Sequence, residues 1–241
     1  MTRAEQIGTN LRAVNERVDA ALLAAGRSPK TLCLLAVSKT VPAEDVAAAL
    51  TVGQVDFAES YGQEFRDKQA IVAKLVAATP GLPSPRWHFI GPLQSNKVKY
   101  VAGKVALIHS VSSLEVLAAI EAKAAGLGVV QNCLVQVNVA GEKQKSGIAP
   151  ADLPATLDAF AAYAQVRCTG LMVIPPYDED PALSRPHFAA LRRLRDAQRT
   201  AVRPNVDLTD LSMGMSHDLE VAIAEGATLI RVGTAIFGAR T

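Results

Sequence analysis

A lysine stands where an apolar run meets solvent. The stretch "LLAVSKTVP", residues 34–42, reads as a buried strand that ends at Ser38-Lys39. A lysine at a strand end is ordinarily a solvated charge. An amine kept partly desolvated near other cations is different: its pKa falls, and it becomes a nucleophile toward carbonyl groups. Far along the chain, "LSMGMSHD" (211–218) and "IRVGTAIFG" (230–238) offer a second kind of chemistry. The first supplies Ser212 and Gly214, the second Gly233 and Thr234. Glycines let backbone N–H groups approach an anion, and hydroxyls add donors, so the two stretches together read as a phosphate cup. Arg231 lies two residues before Gly233, on the same side of an extended strand. Turned inward, its guanidinium would face the same ligand and would need an acceptor.

These residues need elements that bring them together. Short apolar runs at 32–37, 54–58, 87–90, 106–109, 132–139, 166–171, 206–211 and 229–232 read as strands covered on both faces. Helical spacing fills the gaps, at 43–50, 62–78, 96–101, 114–125, 151–163, 182–201 and 217–224. Pro42 and Pro150 sit near helix starts, and Gly53, Gly126 and Gly226 follow helix ends. Eight strands alternating with helices predict an α/β fold, a single (β/α)8 TIM-type barrel, with 1–241 as one domain. Only nine residues follow the last strand. The helical segment 5–25 is therefore expected to pack beside that strand and complete the outer ring. Barrel chemistry gathers at the C-terminal strand ends, which hold Lys39, Ser60, Asn138, the 211–218 stretch and the 230–238 stretch.

The totals exclude several classes. With 25 cationic and 23 anionic residues, the net charge of +2 gives no electrostatic reason to expect nucleic acid or an anionic membrane. The polar start, "MTRAEQIGTNLRAVNERV", lacks the core of a signal peptide, and no run of 18 apolar residues exists. Cys33, Cys133 and Cys168 lie in apolar runs without a C-x-x-C pair, which predicts reduced, buried thiols and a cytoplasmic protein. No strong exposed apolar stripe is visible, which favours a monomer. Nothing groups His with Cys or Asp for a metal. His88 reads as a packed barrel residue, His187 and His217 as solvated. Lys143 and Lys145, in the loop after strand five, read as solvated charges; a second imine on that loop, as a station for cofactor release, is the sharper reading.

A lysine nucleophile, a phosphate cup and an inward arginine suit a phosphorylated aldehyde held as a Schiff base. Pyridoxal phosphate has all three handles: an aldehyde for Lys39, a phosphate for Ser212, Gly233 and Thr234, and a ring nitrogen for Arg231. An arginine there keeps the ring nitrogen unprotonated and the cofactor a weak electron sink. On these residues alone, a phosphosugar in Schiff-base aldol chemistry would use the same lysine and the same cup.

The chain resembles the pyridoxal-phosphate homeostasis proteins over nearly its whole length. The resemblance rests on "AVSKTVP", "HFIGPLQSNKVKYV", "IHSVSSLEV", "VQVNVAGEKQKSGI", "GLMVIPP" and "LSMGMSHDLEVAIAEGATLIRVGTAIFGAR". It implies a fold-type III, alanine-racemase-like barrel that carries pyridoxal 5'-phosphate as an aldimine on Lys39. It further implies phosphate contacts from Ser212 and Gly233-Thr234, and a ring-nitrogen contact from Arg231. Ser60, Asn138 and Met213 complete the expected cofactor-binding set. One stretch departs: the family's "FGENYVQE" reads "FAESYGQE" here, so Ala58 and Ser60 replace a glycine and an asparagine. The implied role is a carrier in vitamin B6 homeostasis that passes the cofactor to PLP-dependent apoenzymes, without established catalysis. The alternative is an amino-acid racemase or decarboxylase. Related racemases take a second acid/base from an extra β-domain, for which this sequence leaves no room.

Overall fold

Alternating strands and helices close into a ring. The computed structural model describes residues 1–142 and 144–239. Its strands are β1 (Cys33–Val37), β2 (Asp56–Glu59), β3 (Arg86–Phe89), β4 (Leu107–Val111), β5 (Gln131–Gln136), β6 (Val166–Met172), β7 (Val206–Met215) and β8 (Leu229–Val232). They form a closed parallel barrel in sequence order, with β1 paired to both β2 and β8. Its helices are α1 (Arg3–Ala24), α2 (Ala43–Thr51), α3 (Gly62–Ala78), α4 (Val98–Val101), α5 (Leu114–Leu127), α6 (Leu153–Ala161), α7 (Arg185–Gln198), α8 (Leu219–Ala224) and α9 (Thr234–Phe237).

Period-two alternation sorts the strand residues into two cores. Leu35, Val37, Ala58, Leu107, Leu134, Met172 and Leu229 pack inside the barrel. Ala36, Phe57, Phe89, Ile108, Val135, Leu211, Ile230 and Val232 face outward against the helices, in a larger cluster. Each fully buried leucine or phenylalanine contributes about 1.5–3 kcal/mol of transfer free energy. The interior layer is not wholly apolar: Asp56, His88, His109, Ser212 and Arg231 are buried as well.

Helix α1 starts at a capping box, in which Thr2 and Glu5 each bond the other's backbone N–H. Its buried residues Ile7, Leu11, Val14, Val18 and Leu22 follow helical spacing, and the helix packs against α2, α8 and α9. It therefore fills the place in the outer ring beside β8. Polar contacts fix it there: Arg3 Nη2 donates to Phe237 O at 2.7 Å and Asn10 Nδ2 to Ile236 O at 2.8 Å. Arg17 reaches Ser216 O and pairs with Glu220.

Most boundaries shift by one to three residues, and three of the differences bear on the site. Strand β7 runs to Met215 rather than ending at 211, because a register shift between Ser212 and Met215 keeps it paired with β8. Strand β5 ends at Gln136; beyond it Val137 makes only an isolated bridge to Ile148. Helix α8 begins at Leu219, after Asp218 bonds the N–H of Met215. The thiols of Cys133 and Cys168 are buried, and burial pushes that of Cys168 up to about 12, while Cys33 is half-buried. No helix of the described residues is long and apolar enough to cross a membrane.

Candidate functional site

The C-terminal mouth of the barrel holds a cavity of about 600 Å³. Lys39, Ser60, Arg231, Gly233 and Thr234 line it, together with Tyr61, Tyr177, Ser216 and His217. Gly91 forms part of its wall for a steric reason. A Cβ there would fall 1.9 Å from the carbonyl oxygen of Ser60, so only glycine lets the β2 and β3 ends approach this closely.

Lys39 sits on a turn clamped from below by charged groups. Ser38 Oγ donates to Glu59 Oε1 at 2.7 Å, and its carbonyl accepts from Lys68 Nζ. Lys68 also pairs with Glu59 at 2.7 Å and Glu64 at 2.8 Å. Glu64 in turn accepts the backbone N–H of Thr40. Both neighbours of Lys39 are thus fixed by one cluster, of which Glu59 and Lys68 are buried. Thr40 has φ +61°, a conformation that β-branched residues rarely adopt. Burial raises the Glu59 carboxyl above its ordinary range, against the pull of Lys68.

Arg231 approaches the cavity from inside β8 and is 3% exposed. Its acceptors are neutral: Ser212 Oγ at 2.7 Å and Val173 O at 2.9 Å. Burial pulls its pKa down to about 10, so it stays protonated at neutral pH. Beneath Ser212 the contacts continue. His109 Nδ1 lies 2.8 Å from Ser212 Oγ, His109 Nε2 lies 3.0 Å from His88 Nδ1, and His88 Nε2 lies 3.3 Å from Asp56 Oδ1. Asp56 is closed off by Arg86. His88 is buried, as the sequence reading had it, but in a chain of polar contacts rather than among apolar side chains.

On the phosphate side, the β7–α8 turn brings Met215, Ser216 and His217 to the cavity, and the β8–α9 junction brings Gly233 and Thr234. First-turn N–H groups of a helix lack intrahelical acceptors, so the start of α9 adds donors. Three expected positions fall elsewhere. Ser212 lies within β7, fully buried under Arg231, and the hydroxyl lining the cavity is that of Ser216. Met213, on the opposite face of β7, packs in the outer core. Asn138 exchanges two hydrogen bonds with the backbone of Glu142 and shapes the loop after β5. His217 is exposed, as expected, and from that position also lines the cavity and reaches Glu179 O at 3.0 Å. Lys145 lines a smaller adjoining pocket that shares Ile90, Pro92 and Ile174 with the main one. Its ammonium contacts Pro175 O and Glu142; Lys143 lies outside the described residues. Among the described residues no cluster of His, Cys, Asp and Glu could hold a metal ion.

Residues 7–241 match the family model of the alanine racemase N-terminal domain. The pyridoxal phosphate homeostasis protein of Pseudomonas aeruginosa is 46% identical over 235 residues, which cover 97% of this chain and 96% of that protein. The chain belongs to the pyridoxal phosphate homeostasis family. PipY of Synechococcus elongatus, whose structure was solved with PLP bound, is 36% identical. It superposes with a TM-score of 0.81, covering 97% of this chain and 100% of that one. Alanine racemase from Corynebacterium glutamicum shares the fold, with a TM-score of 0.68 at 14% identity and coverage of 97% of this chain and 60% of that one. Ser60, where the resemblance leads one to expect an asparagine, lines the cavity, so that position falls within the site itself.

Proposed function

We propose that this chain binds pyridoxal 5'-phosphate at the mouth of its barrel and serves intracellular PLP homeostasis. The observation that carries the reading is one cavity uniting an amine, a protonated guanidinium and two hydroxyl-bearing loops: Lys39, Arg231, Ser216 and Gly233-Thr234. That donor set suits the cofactor's aldehyde, ring nitrogen and phosphate. When bound, the cofactor supplies an aldehyde that condenses with amines and a ring that withdraws electrons. Lys39 Nζ is the amine that would hold the aldehyde. Arg231, whose pKa burial brings down only to about 10, stays protonated and would donate to the ring nitrogen. Ser216 takes the phosphate role that the sequence suggested for Ser212. Ser60 offers one hydroxyl at the wall. The remaining assignments are a single domain spanning 1–241, a monomer in the cytosol, and PLP-dependent apoenzymes as recipients.

The test is the visible absorption of the purified protein with added PLP, beside Lys39→Ala, before and after borohydride. The reading expects a band in the wild type that is absent in the variant, and a reduced adduct mapped to Lys39. An adduct that maps elsewhere would sink the covalent assignment, and absence of PLP binding would sink the whole reading. Racemase or decarboxylase chemistry remains the second reading, because His217 and Tyr177 place titratable groups at the cavity wall. Loss of the α-proton of free amino acids into deuterated water, abolished by His217→Ala, would favour it.

A further inference from the structure

The buried polar chain beneath Arg231 has one consistent direction. Ser212 Oγ accepts from Arg231 Nη1, because a guanidinium only donates. Among the described residues, the remaining partner for the Ser212 hydroxyl proton is His109 Nδ1, which must therefore carry a lone pair. A neutral His109 then bears its proton on Nε2 and donates it to His88 Nδ1. His88 in turn bears its proton on Nε2 and donates it to Asp56. Asp56 is an acceptor at the end of the chain. Burial alone would raise its carboxyl, but the His88 and Arg86 hydrogen bonds outweigh burial and bring it down to about 2. Burial, His88 and Arg231 together hold His109 well below the usual histidine range, consistent with a neutral ring. Every donor in the series points away from the cavity.

We propose that Asp56, His88 and His109 are positioning residues for the cavity, forming a one-way relay that holds the Ser212 hydroxyl as an acceptor and so fixes the guanidinium of Arg231. The relay orients rather than conducts, since its cavity-side end is a guanidinium that keeps its proton at neutral pH. Two of the Arg231 N–H groups are committed to Ser212 and Val173. Those that remain lie in the plane these two bonds fix, and Arg231 lines the cavity. A buried guanidinium left without such acceptors would turn to find them. That this plane meets a cofactor ring nitrogen rests on the function proposed above; the direction of the relay does not.

Two measurements separate the claims. The first uses the full-length protein labelled with 15N on the histidine rings, without PLP; the chain has four histidines. The relay requires His88 and His109 both protonated on Nε2 alone. A doubly protonated His88, or a proton on His109 Nδ1, overturns it from the wild type, whatever any variant does. Asp56→Ala removes the terminal acceptor and should admit the Nδ1-protonated form in both rings, while Asp56→Glu restores the wild-type pattern. Arg86, left without its partner, is exposed enough for solvent to replace it.

The second measurement follows the ring nitrogen of 15N-labelled PLP. Its resonance should move in Asp56→Ala and return in Asp56→Glu, although Asp56 does not line the cavity. PLP should bind about tenfold more weakly to Asp56→Ala, as expected for one impaired hydrogen bond. An unmoved resonance, with the imidazole pattern altered, would overturn the positioning role. Failure of wild-type protein to bind PLP would instead overturn the proposed function, and the imidazole pattern would still decide the relay.

Discussion

Two corners of one cavity floor are built on opposite electrostatic plans. Under Lys39 the supports are ions: buried Lys68 between Glu59 and Glu64, gripping the backbone of Ser38 and Thr40. Under Arg231 the supports are neutral at first contact, a hydroxyl and a carbonyl, and Asp56, the carboxylate that ends the relay, lies three hydrogen bonds beyond Ser212. The difference suits what each group would do. An amine that forms and releases a covalent link must come close and retreat, so the chain fixes the turn that carries it. A guanidinium that only donates must keep its charge and its plane, so its own hydrogen bonds are fixed. The first device tolerates motion at the tip, and the second removes it.

The largest effect should come from breaking the charged corner. Lys68→Met leaves Glu59 buried without its cation, which costs about 3–5 kcal/mol of unfolding free energy. Chemical denaturation should show a midpoint shift of that size, and Glu59→Gln in the same chain should recover part of it. Full stability in the single variant would mean that the clamp is ornamental. The neutral corner should yield less. Ser212→Ala leaves Arg231 one acceptor short, for about 1–3 kcal/mol by the same assay.

Acid should separate the corners by sign. His109 is held below its ordinary 6.5, so the unfolded chain binds its proton first, and the stability it confers fades as pH falls below about 6.5. The slope is at most about 1.4 kcal/mol per pH unit for one group. Glu59 is held above its ordinary 4.5, so the native state binds its proton first, and this group stabilises the fold as pH falls through its raised value. Asp56, brought down from 3.8 to about 2, withdraws its contribution only below pH 4. Denaturation followed from pH 7.5 down to 4.5 should therefore flatten in His109→Gln and steepen in Glu59→Gln; equal slopes in both variants would erase the contrast. The smallest shift is expected from Thr40→Gly, which relieves the left-handed backbone yet frees the unfolded chain, for a net change within about 1 kcal/mol. Its signature should be faster PLP release at unchanged stability.

Much of the fold was legible because parallel barrels write each strand as an apolar run between helical spacings. Lys39, Arg231, Gly233 and Thr234 were legible because they sit at or near strand ends, where period-two alternation fixes the facing side. Ser212, Met213 and Asn138 do not line the cavity, for local reasons. The register shift in β7 extends the strand to Met215, so the cavity hydroxyl comes from Ser216, one residue past the strand. The early end of β5 leaves Asn138 in a loop. The charged clamp did leave a trace: Lys68 falls on the buried stripe of α3 between Phe65 and Val72, where a lysine needs a partner. The relay left a fainter one. Asp56, His88 and His109 each stand in a separate short strand, and only barrel closure lines them up.

The docking of α1 carries a consequence for how the site comes into being. Arg3 and Asn10 bond carbonyls at Phe237 and Ile236, more than two hundred residues away, and Arg17 bonds that of Ser216 beside the cavity. During synthesis the first helix leaves the ribosome many seconds before its partners, at rates of about 5–20 residues per second. Until they follow, its buried stripe has only α2 to pack against, and the loops of β7 and β8 have no brace. The binding mouth is thus the last part of the molecule to mature, and a nascent chain holding Lys39 ready has no finished pocket in which to use it.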